Sequence, residues 1–515
     1  MCALLPGDVS MIGQTLREAV EHHQAGRFDE AEGLYRTVLK VAPNNPDASH
    51  LLGVVALHQG RHSEAMERIG LALQANDKVW AYHNNMGAAQ RAAGLLRKAK
   101  ASFSRAAELS PLNDSAWFNL IGVLGALGEK ERISVVLDAW VRASPDSRKG
   151  REARAAHRLE LGDLAGAVAD HAHVAAILVN DPEPCLQVAI LSHQRGDDAT
   201  ALGAFVEARD RSARRSPLAS ATVQTKLWHD IQQIQWLMEQ GNTSHDWERI
   251  RRGYERAYER LYGDGGTKLE AKKLTPRTLA ELGEWYNQPF QVERCPPLSS
   301  HAVSSGCGAQ DAEDRYISSD PGITTIDGLL TPEALVQLRR FCLGSTIWNE
   351  FRYNGGYVGT TVGQGFANGL LLQIARELRA AMPTVLGPHP LRQMWAFKYD
   401  QRRTGVGVHA DQAAVNVNFW ITPDEANLNP ENGGLVVWRK RAPMEWDFEE
   451  FNRAPEKLVH WVRETGAEKI RVPYRCNRAV LFDSNLVHST DEFEFSPGYE
   501  NRRIHITMLF GNRTG

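Results

Sequence analysis

Residues 24–31 read QAGRFDEA, and segments of the same kind return at a constant interval through the first half of the chain. The related segments are HQGRHSEA, AAGLLRKA, ALGEKERI, ELGDLAGA and QRGDDATA, whose glycines stand at positions 60, 94, 128, 162 and 196. Starting from Gly26, each glycine follows the preceding one by 34 residues. A period of this length is typical of solenoids in which every unit is a pair of helices joined by a short turn. The sequence therefore predicts an all-α repeat array.

Side chains of fixed size follow each of these glycines. Five positions later stands an alanine in every unit except the fourth, which has Ile133, and nine positions later stands a larger residue such as Tyr35 or Phe103. A small side chain lets two helices approach closely, and a large one fills the groove to the next unit. This pattern resembles the tetratricopeptide repeat over residues 10–215. The resemblance implies a surface that binds a protein or peptide; a purely architectural or oligomerising role is the alternative.

Composition restricts the class of protein. Of 515 residues, 43% are hydrophobic and 23% are charged, which is ordinary for a soluble chain of more than one domain. The formal net charge of −3 argues against a general nucleic-acid-binding protein. The chain begins without a basic and apolar leader and has no apolar run of membrane-spanning length, so we expect a cytoplasmic protein. Its six cysteines lack CxxC spacing and are expected to be free thiols.

The periodicity changes along the second half of the chain. A further helical stretch is expected to cap the array, so that residues 10–240 form the solenoid. Residues 241–315 are predicted to be a helical connector that ends in a linker rich in proline, serine and glycine. In residues 316–515, short runs of β-branched and aromatic residues alternate with turns and accompany two amphipathic helices. This pattern predicts an α+β domain whose strands form a sandwich or a jelly roll.

Three candidate metal ligands lie in the strand-rich part. His409 and Asp411 form an HxD pair ahead of the strand-like run AVNVNFW, and His488 follows in LFDSNLVHST. An HxD pair alone is expected by chance in a chain of this composition, but a third ligand and then an arginine on later strands are much rarer. Two imidazoles and one carboxylate can together bind a divalent metal. The spacing therefore favours a metal site over a surface dipeptide.

The order HxD, histidine, arginine resembles the iron(II)- and 2-oxoglutarate-dependent oxygenases over about residues 320–515. The resemblance implies a jelly roll of the double-stranded β-helix type. It implies that His409, Asp411 and His488 are the catalytic residues and the iron ligands, and that 2-oxoglutarate and O₂ are the cosubstrates. Halogenating members lack the carboxylate because chloride takes its place on the metal, so Asp411 favours hydroxylation.

The resemblance assigns further residues to the cosubstrate. Arg503 matches the family's arginine ahead of an Ile-Thr pair and would bind the far carboxylate of 2-oxoglutarate, whereas Arg502 on the opposite face is expected to be solvated. Tyr399, which ends WAFKY, matches a tyrosine that many members place near the same carboxylate. Asn418 shares a strand face with Asn416 and is expected to make a polar contact in the site; an outward polar face is the alternative reading of this pair.

Three further features of the sequence are expected to lie around the candidate site. His505 would face the same way as Arg503 and would contact and support the residues that bind the metal or the cosubstrate. The glycine-rich residues 354–369 lack the pattern of a phosphate-binding loop and are expected to be a mobile loop near the pocket mouth. Residues 445–464 lie between two strands and are expected to form a lid.

The leading interpretation is a dioxygenase that hydroxylates a side chain of a protein or peptide, with the repeats recruiting the substrate or a partner. The first alternative is the same chemistry on a small molecule. The second is a tetratricopeptide scaffold whose barrel is inactive, and the third is a site for another metal that does not use 2-oxoglutarate.

Overall fold

The computed structural model describes residues 6–215, 221–263, 271–351, 356–401 and 405–513. The chain divides into two compact units, Met1–Ile177 and Leu178–Gly515. No helix in the described ranges combines the length and the hydropathy of a membrane-spanning segment.

The described part of the first unit is helical. Its helices are α1 (Pro6–Gln24), α2 (Phe28–Val41), α3 (Pro46–His58), α4 (His62–Ala75), α5 (Trp80–Ala92), α6 (Leu96–Leu109), α7 (Asp114–Ala126), α8 (Lys130–Ala143), α9 (Arg148–Glu160) and α10 (Leu164–Ile177). The predicted glycines end the first helix of each pair, and from Gly26 to Gly162 their φ angles lie between 72° and 79°. Glycine adopts this left-handed conformation without a steric cost, so it ends one helix and starts the turn into the next. The predicted helix-turn-helix pattern is confirmed.

The residues that follow these glycines form the contacts between helices. Tyr35, Ile69 and Phe103 are fully buried, and so are the alanines of the same units. A Cβ atom on Gly87 would lie 2.7 Å from the Phe103 ring, so the close approach of α5 and α6 requires glycine at that position. The first unit is thus held together by small and large side chains at the predicted positions.

The second unit begins with the last predicted repeat. Its helices are α11 (Glu183–Gln194), α12 (Asp198–Arg215), α13 (Gln224–Glu239), α14 (Trp247–Tyr262), α15 (Pro276–Leu282), α16 (Ala309–Ser318), α17 (Pro332–Gly344), α18 (Gly369–Ala381) and α19 (Pro455–Glu464). Ala189 of α11 and Phe205 of α12 share a hydrophobic core with Phe341 of α17, and Asp198 forms an ion pair with Arg376 of α18. The compact division therefore falls after residue 177, whereas the sequence placed the end of the solenoid at residue 240.

The segment that resembles a linker is packed against α18. Cys295 and Ala302 are buried. The backbone N–H groups of Ala302 and Val303 each donate to the Glu377 carboxylate at 2.8 Å. No division between compact units falls within residues 241–315.

The second unit also carries the strands. They are β1 (Ala221–Thr222), β2 (Lys272–Lys273), β3 (Ile323–Asp327), β4 (Tyr357–Thr361), β5 (Leu391–Tyr399), β6 (Val415–Trp420), β7 (Leu435–Arg441), β8 (Lys469–Val472), β9 (Arg478–Asp483), β10 (Leu486–Thr490) and β11 (Ile504–Phe510). β1 and β2 form a short ribbon, and the others form sheets in the orders β3-β9-β6-β11-β5-β4 and β10-β7-β8. The expectation of a mobile loop over residues 354–369 is wrong for the edge strand β4; residues 354 and 355 lie outside the described residues.

Alternation along the central strands separates an apolar face from a polar one. Val417 and Phe419 of β6 belong to the hydrophobic core that includes helices α17 and α18. Trp420 instead packs with Leu435 and Val437 of β7, between the two sheets. The even-numbered residues of β6 therefore point into the space between the sheets. A β-rich second domain is confirmed, and its interior is where the candidate site lies.

Candidate metal centre

Strand pairing brings the three predicted ligands together. His409 pairs with His488 of β10, and the backbone N–H of each donates to the carbonyl of the other, at 3.0 and 2.8 Å. The loop then turns so that the N–H of Asp411 donates to the Ser484 carbonyl at 3.0 Å. As a result, one ligand atom from each of the three side chains lies within 4.8 Å of the others.

Hydrogen bonds orient both imidazoles toward Asp411. Nδ1 of His409 lies 2.8 Å from the Gly407 carbonyl, and Nδ1 of His488 lies 3.0 Å from the Leu486 carbonyl. Because a carbonyl only accepts, each Nδ1 donates to its partner, and each Nε2 is the ring nitrogen that faces Asp411. The two Nε2 atoms lie 3.7 and 3.5 Å from the Asp411 carboxylate. The three side chains are therefore close enough to bind one cation together.

The protonation states suit a metal ligand set. Burial lowers the pKa of His409 to about 4, so its imidazole is neutral at pH 7. Burial alone would raise the pKa of Asp411, but its contacts with the two histidines and a hydrogen bond from Asn416 lower that pKa to about 2. The Asn416 Nδ2 donates to Asp411 at 2.6 Å, and its Oδ1 accepts from Ser484 Oγ at 2.6 Å. A neutral imidazole and an ionised carboxylate are the forms that bind metals.

The donor set fits a first-row divalent metal. Two imidazole nitrogens and one carboxylate oxygen suit iron(II) and leave coordination positions for small oxygen ligands. Across the described ranges, no second group of three or more histidine, cysteine or acidic side chains converges in this way. The structure thus brings His409, Asp411 and His488 into one potential metal site.

A cleft of about 1050 Å³ opens onto this site. One wall is formed by residues that point between the sheets, among them Asn418 of β6 and His505 and Thr507 of β11. Leu186 and Ile190 of α11 contribute to another wall. Helix α11, the first helix of the last repeat, thus helps to shape the cleft that contains the triad.

Arg503 is buried on the same face of β11 as His505 and Thr507, two and four residues further along. Its Nε donates to the Gly433 carbonyl at 2.7 Å and its Nη2 donates to the Gly434 carbonyl at 3.1 Å. The guanidinium carbon lies 4.7 Å from the centre of the Tyr399 ring. Nη1 has no hydrogen-bond partner, and no carboxylate of the described residues lies within ion-pair distance. Arg503 is therefore a buried cation that makes no ion pair with a described residue, although the Asp491 carboxylate acts on it over a longer distance.

Arg502 differs from the prediction, because it is buried instead of solvated. Only 2% of its surface is exposed. Its Nε donates to the Gln232 side chain of α13 at 2.9 Å, and its Nη2 lies 3.7 Å from the Asp400 carboxylate. The sequence predicted correctly that Arg502 and Arg503 point to opposite faces, but it did not reveal that α13 covers the face of Arg502.

Tyr399 and Asn418 also lie inside the domain. Tyr399 is fully buried, and its hydroxyl lies 3.5 Å from Thr490 Oγ1. Asn418 Oδ1 is buried without a hydrogen-bond partner. The alternative in which Asn416 and Asn418 form an outward polar face is wrong, since both residues are buried.

The insert between β7 and β8 is attached to the loop that carries His409 and Asp411. It contains a π-helical turn, Glu449–Arg453, followed by α19. Ala410, the residue between two of the ligands, donates its N–H to the Phe451 carbonyl at 2.8 Å and accepts from Asn452 Nδ2 at 2.8 Å. The segment predicted to be a lid therefore contacts this loop; whether it acts as a lid stays a prediction. No sequence pattern pointed to Asn452, because its partner is a backbone carbonyl.

Replacing Asn452 with alanine is expected to weaken binding of a divalent metal about tenfold, at the low end of the 10–100-fold range for residues that hold a ligand in place. The Ala410 carbonyl would lose its side-chain donor, and the loop that carries His409 and Asp411 would be held less firmly. Calorimetric titration of metal-free protein with Mn(II) measures the affinity. Asn501, which donates to the Pro497 carbonyl at an exposed site, provides the matched control Asn501→Ala. Equal affinities for Asn452→Ala and the unmodified protein would contradict the prediction.

Comparison with known proteins identifies the repeats. The sequence profile of the tetratricopeptide repeat family matches residues 16–78. The PilF protein of Pseudomonas aeruginosa is similar at 17% identity and a TM-score of 0.32, over 41% of this chain and 95% of that chain. TTC0263, a tetratricopeptide protein of Thermus thermophilus, is similar at 22% identity and a TM-score of 0.26, over 35% of this chain and 98% of that chain.

A third similar structure is the first tetratricopeptide domain of Spaghetti (RPAP3), solved with an HSP90 peptide. It is 24% identical with a TM-score of 0.22, over 23% of this chain and 93% of that chain. No curated protein matches the chain. The family profile and the 34-residue helix pairs agree, so the first part of the chain consists of tetratricopeptide repeats.

Proposed function

We propose that the second unit is an iron(II)- and 2-oxoglutarate-dependent dioxygenase that hydroxylates a side chain of a protein or peptide. One observation carries the proposal: the residues that could bind the metal and the arginine that could bind the cosubstrate lie on the same face between the two sheets. The His409, Asp411 and His488 ligand atoms converge within 4.8 Å. Further along the same face lies Arg503, a buried cation without an anionic partner among the described residues.

The strand order supports a jelly-roll assignment. In one sheet the central order is β9-β6-β11-β5, and in the other the order is β10-β7-β8. The bridge between His409 and His488 adds the segment that ends at His409 to the free side of β10. Two sets of four antiparallel segments then face each other, with the ligands at the point where the sheets meet.

The residues fit the groups that the reaction requires. His409, Asp411 and His488 would hold iron(II), which when bound supplies the activation of O₂ that is coupled to oxidative decarboxylation of 2-oxoglutarate. Arg503 would bind the far carboxylate, and the Tyr399 ring packs against its guanidinium. A buried guanidinium is costly unless a carboxylate or another anion compensates its charge, so this position suits a dicarboxylic acid.

The substrate class is proposed from the cleft and the repeats. A volume of about 1050 Å³ exceeds what a five-carbon dicarboxylate needs, and part of the wall comes from α11. Tetratricopeptide repeats commonly bind protein or peptide segments on their concave surface. A segment recruited by the repeats could therefore present a side chain to the triad.

Anaerobic titration of metal-free protein with Fe(II) and 2-oxoglutarate tests the proposal without knowledge of the substrate. We expect a visible metal-to-ligand charge-transfer band in the unmodified protein and no band in His409→Ala. His460, an exposed residue of α19 paired with Glu464, provides the control His460→Ala, which should keep the band. A folded protein without the band would overturn the proposal and leave a repeat scaffold with an inactive barrel.

A further inference from the structure

Strand β5 contains a bulge beside the cleft. Leu509 of β11 pairs with Gln393. The next residue, Phe510, pairs with Leu391, so that Arg392 is an extra residue with no partner in β11. Leu391 packs in the hydrophobic core that includes helices α17 and α18, whereas Arg392 and Gln393 both line the cleft. Bulges change the direction of side chains and are frequent next to active sites, and this bulge places an arginine in the cleft.

The charge of Arg392 is not neutralised by the protein. Its Nε is buried without a hydrogen-bond partner. Burial lowers the pKa of this guanidinium, and no neighbouring acid opposes the effect. The carboxylates of Glu183 and Glu350 also line the cleft, but neither forms an ion pair with Arg392. Since an arginine stays protonated in proteins, Arg392 is a half-buried cation for which no described residue supplies an anion.

The other two arginines that line the cleft already have partners. Arg453 forms an ion pair with Glu449 at 2.8 Å. Arg513 donates to the Asn485 side chain and to backbone carbonyls of the insert between β7 and β8. Among the described arginines of the cleft, only Arg392 is therefore open to a ligand.

The bulge lies in one row with the loop that carries the metal ligands. Gln393, the neighbour of Arg392, pairs with Leu509, and Leu509 pairs with Asn416 of β6. Asn416 in turn donates to Asp411 at 2.6 Å. Adjacent strands are about 4.8 Å apart, so two spacings place the backbone of Arg392 about 10 Å from the strand that supports Asp411. An extended peptide covers about 3.4 Å per residue, so roughly three residues span this distance.

The bulge is distant from the arginine assigned to the cosubstrate. At the other end of β5, the Tyr399 N–H donates to the Arg503 carbonyl at 3.0 Å. Arg392 precedes Tyr399 by seven residues, which corresponds to roughly 20 Å along a strand. A single five-carbon dicarboxylate cannot extend from the metal to both arginines, so Arg392 is available for a different ligand.

We propose that Arg392 binds a carboxylate of the peptide substrate, so that acidic peptides are the substrate class; this inference rests on the proposed function. A carboxylate matches the planar guanidinium and can accept two parallel hydrogen bonds from it. A peptide offers this group as an aspartate or glutamate side chain or as its C-terminus. Binding it at the bulge fixes which residue of the peptide reaches the metal, about three positions or fewer away.

A random library of amidated heptapeptides tests the inference without a known substrate. The library is passed over immobilised full-length protein with 2-oxoglutarate and with Mn(II) in place of Fe(II) to prevent turnover. Mass spectrometry then sequences the retained peptides, among which we expect aspartate and glutamate to be enriched at one position. A retained peptide should bind about tenfold more tightly than its counterpart with asparagine or glutamine there, because it gains a hydrogen bond between charged groups.

A second library with free C-termini identifies the source of the carboxylate. Binding that depends on Arg392 in both libraries assigns the carboxylate to a side chain. Binding that depends on Arg392 only in the second library assigns it to the end of a chain.

Three variants separate the role of Arg392 from the general charge of the cleft. Arg392→Gln should bind the acidic peptide and its amide counterpart equally, and Arg392→Lys should keep part of the preference. Because no described residue pairs with Arg392, the unfolding midpoint and the charge-transfer band of Arg392→Gln should match those of the unmodified protein. Arg453→Gln is the matched control, since Arg453 lines the same cleft but already pairs with Glu449, and it should keep the preference.

Several results would overturn the inference. They are a library from which no peptide is retained, retained peptides without acidic enrichment, and an unchanged preference in Arg392→Gln. An equal loss of preference in Arg392→Gln and Arg453→Gln would attribute binding to the overall charge of the cleft and would overturn it as well. The absence of a charge-transfer band in the unmodified protein is a distinct outcome, because it contradicts the proposed function whether or not acidic peptides bind.

Discussion

Replacing Arg503 with methionine is expected to weaken 2-oxoglutarate binding at least about a hundredfold, because it removes one partner of a buried charged pair. Little loss of stability should accompany this effect. In the unliganded protein the guanidinium is a buried charge without a carboxylate partner, and replacing such a group with an apolar one of similar size relieves several kcal/mol of desolvation. The lost hydrogen bonds to Gly433 and Gly434 cost about 1–3 kcal/mol each and offset that gain.

Affinity and unfolding are measured on the same samples. The charge-transfer titration measures the 2-oxoglutarate affinity, and thermal unfolding of the metal-free protein measures the stability. Arg502→Met is the matched control, since Arg502 is equally buried but bonds to Gln232 on the other face of the strand. It should lower stability and leave the affinity close to that of the unmodified protein. If Arg502→Met lost 2-oxoglutarate binding and Arg503→Met kept it, the assignment of the cosubstrate arginine would be wrong.

Replacing Asp411 with asparagine is expected to reduce divalent metal affinity at least about a hundredfold, beyond the usual 10–100-fold effect of removing a residue that only supports a ligand. The change keeps the shape of the side chain and removes the one anionic ligand of the proposed set. The hydrogen bond from Asn416 can persist by rotation of the new amide, so the loop should stay in place. Calorimetric titration of metal-free protein with Mn(II) and with Fe(II) under anaerobic conditions measures the effect.

Asp483 provides a control with the same chemical change. It is the last residue of β9, and its carboxylate pairs with Arg441 at 2.6 Å, outside the proposed ligand set. Asp483→Asn should bind metal as the unmodified protein does. A wild-type affinity in Asp411→Asn would show that the metal binds elsewhere or does not need this carboxylate.

Periodic features of the fold could be predicted from the sequence, because they repeat a local interaction. The glycine period predicted the helix pairs, since each glycine adopts the same left-handed turn. Side chains also alternate regularly between the two faces of a strand, which predicted that Asn416 and Asn418 lie on the same face. The convergence of His409, Asp411 and His488 followed from a family resemblance, and the distances between their ligand atoms agree with it.

Features that depend on distant packing could not be predicted. Arg502 is buried because α13 covers it, and nothing in the residues around Arg502 encodes the position of that helix. The Asn452 contact joins a side chain to a backbone carbonyl, which leaves no trace in residue type. The proline- and serine-rich segment has the composition of a linker, but Glu377 of α18 binds its backbone N–H groups.

The shared core of α11, α12 and the β-rich unit limits how this protein can be shortened or recombined. A fragment that starts at residue 316 would lose the helices carrying Ala189 and Phe205 and would leave apolar surface around Phe341 open to water. We expect such a fragment to aggregate. A fragment that starts near residue 178 should fold and stay in solution. In evolutionary terms, the final repeat would be inherited together with the β-rich part of the second unit. Repeats could be gained or lost only ahead of it.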